Sequence, residues 1–124
     1  MKVSYYIEYV LGIKCLHEEE CTINPINPKT GCTLLYDNEI IDYKLIIEVN
    51  GQQHYEITNF AVYNSIKKGT TPEYEFEYQK WRDEYKKEYA LSHGYYYLEI
   101  PYWTFDKQES YKTLINNKLY EINL

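Results

Sequence analysis

Long apolar runs are missing from this chain. Nothing in it approaches the roughly 20 residues needed to span a bilayer, and the segment from Met1 to Cys15 lacks the charge, apolar block and small residues of a signal peptide. The expectation is a protein of the cytoplasm with no membrane partner. Glycine and proline are scarce, at five and four residues, which argues against a disordered or low-complexity chain. Cysteine is scarce and odd in number, and Cys15, Cys21 and Cys32 do not suit a disulfide framework. With His17 they form a C-x-H-x3-C-x10-C series, which offers the ligand types of a structural zinc at a spacing that matches no common zinc module; reduced, partly buried thiols are the other reading. A basic surplus is also missing. The formal charge is −6, so contact with nucleic acid needs a concentrated basic patch, a partner, or a cation that neutralises local carboxylates.

What is present is enough for one domain, residues 1–124, built around a single hydrophobic core. Hydrophobic residues make up 44% and charged residues 26%, as in ordinary soluble domains. Tyrosine is the exception, at 17 residues. Each ring asks for burial and each hydroxyl for a hydrogen-bond partner, so a core rimmed by Tyr is expected; such rings can also line a nucleic-acid groove.

Tyr5, Tyr6, Tyr9, Val10, Ile13 and Leu16 recur at spacings of three and four and predict a helix over residues 4–16. Residues 22–31 hold Asn24-Pro25-Ile26-Asn27-Pro28 and Lys29-Thr30-Gly31, which is turn chemistry. Apolar runs at Thr33–Asp37, Ile40-Ile41 and Lys44–Val49 then read as three successive antiparallel strands. Residues 56–70 carry no clear period. Thr71 as N-cap, Pro72 at the first helical position, acidic Glu73 and Glu75, and Gly94 at the end delimit a long helix with a stripe of Tyr74, Tyr78, Trp81, Tyr85 and Tyr89. Residues 95–100 alternate as a strand up to Pro101, and residues 107–120 predict a closing helix bearing Tyr111, Leu114, Ile115 and Leu119.

Two acidic residues on paired strands, Asp37 and Glu48, can converge as hard oxygen ligands for Mg²⁺ or Mn²⁺. Asn50 shares the face of Glu48 by the two-residue period. Gly51 permits a tight turn that brings Gln52, Gln53 and His54 nearby, with His54 as a base or transition-state stabiliser. Taken alone, such a hairpin is more often a solvated acidic surface, and a lone His more often a satisfied structural residue.

The run Tyr36-Asp37, then Lys44-Leu45-Ile46-Ile47-Glu48-Val49-Asn50-Gly51-Gln52-Gln53-His54-Tyr55, resembles the active-site hairpin of phage-associated homing endonucleases related to the very-short-patch repair endonuclease, in the PD-(D/E)XK nuclease superfamily. Arg82-Asp83, Lys86, Tyr89, Gly94 and Tyr97-Leu98-Glu99-Ile100-Pro101-Tyr102-Trp103 resemble that family's helix and following strand, so the likeness covers residues 36–103. It implies an α/β (α+β) fold with an αβββαβ core and a C-terminal helix. It also implies metal-dependent cutting of DNA, with Asp37 and Glu48 as the acidic positions and His54 and Asp83 where relatives carry functional residues. Asn50 stands where the superfamily motif has Lys and many of these relatives have Asp, so His54 or a second metal must replace that group, or activity is reduced. Relatives often have a Glu on the first helix, where Glu8 is the candidate. Asp83 lies about half a turn around the helix from the aromatic stripe, and reaches the site only if that other face meets the sheet.

Two functions follow as expectations. One is a Mg²⁺-dependent DNA endonuclease, as a monomer or a homodimer, with Asn50 and Gln53 assisting and phosphate contacts from Lys80, Arg82, Lys86 and Lys87. The other is a catalytically inactive nuclease-fold module that binds DNA or a protein.

Overall fold

The computed structural model describes residues 2–124. It is a mixed α/β protein with four α-helices and one three-stranded sheet of order β1-β2-β3. Helix α1 (Lys2–Tyr5) runs into a π-helical stretch over Tyr6–Val10. Strands β1 (Asn38–Ile40) and β2 (Leu45–Asn50) pair antiparallel through a tight 3₁₀ turn at Ile41–Tyr43, closed by Lys44 at φ 48°. Helices α2 (Asn59–Lys68) and α3 (Pro72–Ser92) lead to β3 (Tyr96–Pro101), which pairs parallel with β2. A parallel pairing needs a crossover of this kind. Helix α4 (Ser110–Asn123) closes the chain.

The sheet is covered on both faces, and the two-residue period of β2 divides the core accordingly. Leu45 and Ile47 point to the back, where they meet Val3, Tyr6 and Ile7 of the N-terminal helix and Tyr111, Ile115 and Leu119 of α4. Ile46 points to the front, against Tyr36, Cys21 and Ala90 of α3. Glu39, fully buried on the front of β1, is satisfied by Thr22 N and Oγ1, each at 2.6 Å, and by the Tyr95 hydroxyl at 2.7 Å. This carboxylate fastens the irregular 22–35 loop to the sheet.

Three expectations change. The N-terminal helix ends at Val10, short of Leu16, because Gly12 turns the chain at φ +70° and Leu16 instead exchanges two 2.8 Å backbone bonds with Glu39. Its buried face is Val3, Tyr6 and Ile7, while Tyr5, Tyr9 and Val10 are exposed. Two strands, not three, precede the long helix. Leu34 N donates to Pro25 O, Leu35 O accepts from Lys86 Nζ and Tyr36 O accepts from Glu18 N, so the 33–37 segment spends its backbone groups outside any ladder. The unassigned 56–70 region holds α2, which ends at Gly69, φ +71°.

Helix α3 starts as its sequence demands: Thr71 Oγ1 accepts from Tyr74 N at 3.1 Å and Pro72 is the first helical residue. The aromatic stripe does not face the sheet. Tyr74, Tyr78, Trp81 and Tyr85 stack in series along the helix, covered in part by Lys29, whose Nζ lies 4.0 Å above the Trp81 ring. The opposite face, Gln79, Asp83, Lys86 and Ala90, is the one turned to the sheet. Thr71→Ala should lower stability by about 1 kcal/mol and Ile47→Ala by roughly 2–5 kcal/mol, both measured by urea denaturation; equal and negligible effects would contradict this division of the core.

Candidate functional site

Strand β1 pairs Asn38 with Ile47, and one step further along the ribbon Asp37 stands opposite Glu48. Two reciprocal hydrogen bonds fix that step: Asp37 N donates to Glu48 Oε1 at 3.0 Å, and Val49 N donates to Asp37 Oδ2 at 2.8 Å. Side chains directly opposite in an antiparallel pair share a face. The two carboxylates therefore open together onto a front groove of about 560 Å³, bounded by the 33–35 segment, the turn after β2 and α3.

Glu48 is buried and its other oxygen receives Lys86 Nζ at 3.0 Å. The same ammonium donates to Leu35 O at 2.6 Å, and the Tyr36 hydroxyl donates to Lys86 O at 2.6 Å. Burial pushes the Glu48 carboxyl up from 4.5 to about 7; Asp37 adds to the rise and Lys86 opposes it. Removing a carboxylate from water raises its pKa, and a second negative charge beside it does the same.

A second constellation borders the first. His54 Nδ1 lies 2.7 Å from Asp83 Oδ2, and Gln79 Nε2 donates to Asp83 Oδ1 at 3.1 Å. Arg82 Nη2 donates to Gln79 Oε1 at 2.8 Å, which fixes the way that amide points. The chain of bonds from Arg82 through Gln79 and Asp83 leaves Nδ1–H of His54 directed at a carboxylate. Its Nε2 is then the nitrogen available to hold or take a proton.

Asp37, Glu48, Gln53, His54 and Asp83 thus line one groove. Asn50 keeps to the face of Glu48, but it opens into an adjoining cleft of about 220 Å³ and bonds the Tyr55 hydroxyl, which in turn donates to Glu99. Glu8 is not part of the group. It lines a separate groove with Cys15 and His17. Gly51 is extended at φ −75°, so the turn toward His54 does not depend on a left-handed glycine.

Lys86 and Gln79 are the site residues that sequence reasoning undervalued. Lys86 was legible as one of four helix cations and as part of the family resemblance, with no place at the acid pair, and Gln79 not at all. The signal was available in the spacing: residues 79, 83, 86 and 90 recur at four, three and four, a second stripe on α3 that is polar and ends in Ala. Compared with known proteins, the chain matches no protein-family model, no curated protein and no solved structure. Among the described residues no helix is long and apolar enough to cross a membrane.

The pH dependence of stability follows from Glu48. Its folded pKa of about 7 lies above its ordinary 4.5, so its contribution is fully present below pH 4.5 and is lost as pH rises through about 7, by roughly 3 kcal/mol in all. Thermal melts between pH 5 and pH 8 in the absence of divalent cations should show a falling midpoint for the wild type, and a flatter profile for Glu48→Gln, which cannot titrate. Identical slopes would mean that Glu48 ionises normally in the folded chain.

Proposed function

We propose that this chain is a metal-dependent DNA endonuclease that hydrolyses phosphodiester bonds, with Asp37 and Glu48 as the ligands of Mg²⁺ or Mn²⁺. The observation that carries this reading is the pair of facing carboxylates in one groove with Lys86, next to a His54–Asp83 pair. The donor set fits the ion, since carboxylate oxygens and water are what a hard divalent cation takes. The raised Glu48 pKa fits it as well: burial is its main cause and the Asp37 charge adds to it, and a dication beside the two acids would favour their ionised forms against both.

When bound, the ion supplies Lewis-acid polarisation of a phosphoryl oxygen and a more acidic water. The chain's own residues have separate tasks. Asp37 and Glu48 hold their oxygens in register through the backbone bonds at Asp37 and Val49. Lys86 provides the positive group that Asn50 cannot, and it faces the groove where a non-bridging phosphate oxygen would accept from it. His54, oriented by Asp83, takes the proton of the attacking water on Nε2. Arg82 at the groove, and Lys80 and Lys87 along the adjoining cleft, offer phosphate contacts that offset the net charge locally. In this reading the sheet and α3 are a reduced PD-(D/E)XK core, with the 33–37 segment in place of its first strand.

One observation favours a second reading, an inactive nuclease-fold module that binds DNA or a protein. The acid pair is already engaged by protein donors: Asp37 by Val49 N, and Glu48 by Asp37 N and Lys86. Supercoiled plasmid incubated with Mg²⁺ or Mn²⁺ separates the two. Wild type should nick it, Asp37→Ala and Glu48→Ala should fall to background, and His54→Ala and Lys86→Met should each lose roughly 100-fold. Nicking that is equal in wild type and the Asp37 and Glu48 variants, with no Mn²⁺ binding by calorimetry, would leave only the module.

A further inference from the structure

The back of the sheet carries a second set of ligand-type side chains. Leu16 bridges Glu39 in antiparallel register, which sets Cys15 beside Ile40 and His17 beside Asn38. Flanking Leu16, Cys15 and His17 share a face by the two-residue period, and that face is the back, where Cys15 is buried in the core and meets Asn38. Glu8 arrives from the π-helical stretch Tyr6–Val10, a local widening of the helix of the sort frequently found at functional sites. A carboxylate oxygen of Glu8, the Sγ of Cys15 and a ring nitrogen of His17 all lie within 4.8 Å of one another, beside a groove of about 540 Å³.

The Asn38 amide oxygen orients the imidazole as a metal-bound histidine requires, and it accepts from the Cys15 thiol only until that thiol gives up its proton. The Asn38 carbonyl oxygen can only accept, and it lies 3.1 Å from His17 Nδ1 and 3.5 Å from Cys15 Sγ. With the amide in this orientation Nδ1 carries the proton, and in the neutral ring the lone pair of Nε2 faces Glu8 Oε1 at 3.5 Å. Two acceptors facing each other need a proton or a cation between them. Two ligands on a tetrahedral zinc, each at about 2.0–2.1 Å, stand roughly 3.3 Å apart, close to that separation. Fixing one imidazole nitrogen by a hydrogen bond so that the other can bind metal is the usual support of a metal-bound histidine. Asn38 is itself fully buried with its Nδ2 unpartnered, a cost of about 1–3 kcal/mol that an apolar residue at this position would avoid.

We propose that Glu8, Cys15 and His17 form a zinc site on the back of the sheet, with water in the fourth position on the groove side. The mixed oxygen, sulfur and nitrogen set suits zinc. As the Sγ–Zn²⁺ bond forms, the Cys15 thiol loses its proton to solvent. The site differs from the ligand set drawn from spacing alone: Cys21 lies on the front, its thiol near Tyr36 O at 3.8 Å, and Cys32 is exposed. Zinc here would clamp the N-terminal helix and the 15–17 segment onto β1, and Asn38 is the neighbour of Asp37, so the clamp would steady the segment that carries one member of the front acid pair.

The test is a Co²⁺ titration of the purified full-length chain, stripped of metal and kept reduced. In the wild type a thiolate-to-cobalt charge-transfer band and tetrahedral d–d bands should saturate at one equivalent, both bleached by Zn²⁺, and Zn²⁺ should raise the melting temperature. Glu8→Gln and His17→Ala alter partly exposed side chains, so they should keep the wild-type circular dichroism and weaken binding roughly 100-fold. Asp37→Ala and Glu48→Ala should keep the cobalt spectrum, which separates this site from the front groove whether or not the chain cuts DNA. A wild type without the charge-transfer band would overturn the proposal. So would Glu8→Gln and His17→Ala variants that bind cobalt as the wild type does.

Discussion

The arrangement depends on one buried charge in a largely apolar strand. Strand β2 offers its front face Ile46, then Glu48, then Asn50, and the sheet is covered on both sides, so Glu48 is buried whether or not a cation accompanies it. A buried carboxylate must be paired and hydrogen-bonded or else neutralised. This chain uses a backbone N–H from Asp37, the ammonium of Lys86 and a raised pKa together. The long helix must then sit with its polar stripe inward, and its aromatic stripe is left to stack on itself and on Lys29.

That inversion of α3 explains the uneven use of charge. The protein is acidic overall, yet here Arg82 and Lys86 are directed into the groove that holds Asp37 and Glu48. Potential at a site follows the local set of charges and not the total. The abundance of Tyr has a related cause. Tyr36 fills the front core while its hydroxyl bonds Lys86 O, and Tyr95 packs below while its hydroxyl bonds Glu39. Each ring buries area next to a polar network that Phe could not complete.

The two faces of β1 divide the chemistry between adjacent residues. Asp37 faces the front groove, and Asn38 faces Cys15 and His17 on the back. Because strand side chains alternate, one short strand sets side-chain groups of different donor character on its two faces, hard oxygen in front and mixed oxygen, sulfur and nitrogen behind.

Local sequence determined what local physics controls. The start of α3 at Thr71-Pro72, the alternating strand that ends at Pro101, the turn-rich 22–31 loop and the closing helix around Tyr111, Ile115 and Leu119 all follow from capping, periodicity and turn chemistry within a few residues. The nearness of Asp37 and Glu48 also followed, since a hairpin needs only its own register. Tertiary structure decided the rest. Thr33–Asp37 has a strand's composition but finds its backbone partners in a loop and a lysine, and Leu16 leaves the predicted helix for a bridge with Glu39. Which stripe of α3 met the sheet, and so whether Asp83 and Lys86 reached the acids, turned on the burial of Glu48, a competition between distant groups that no window of neighbouring residues contains.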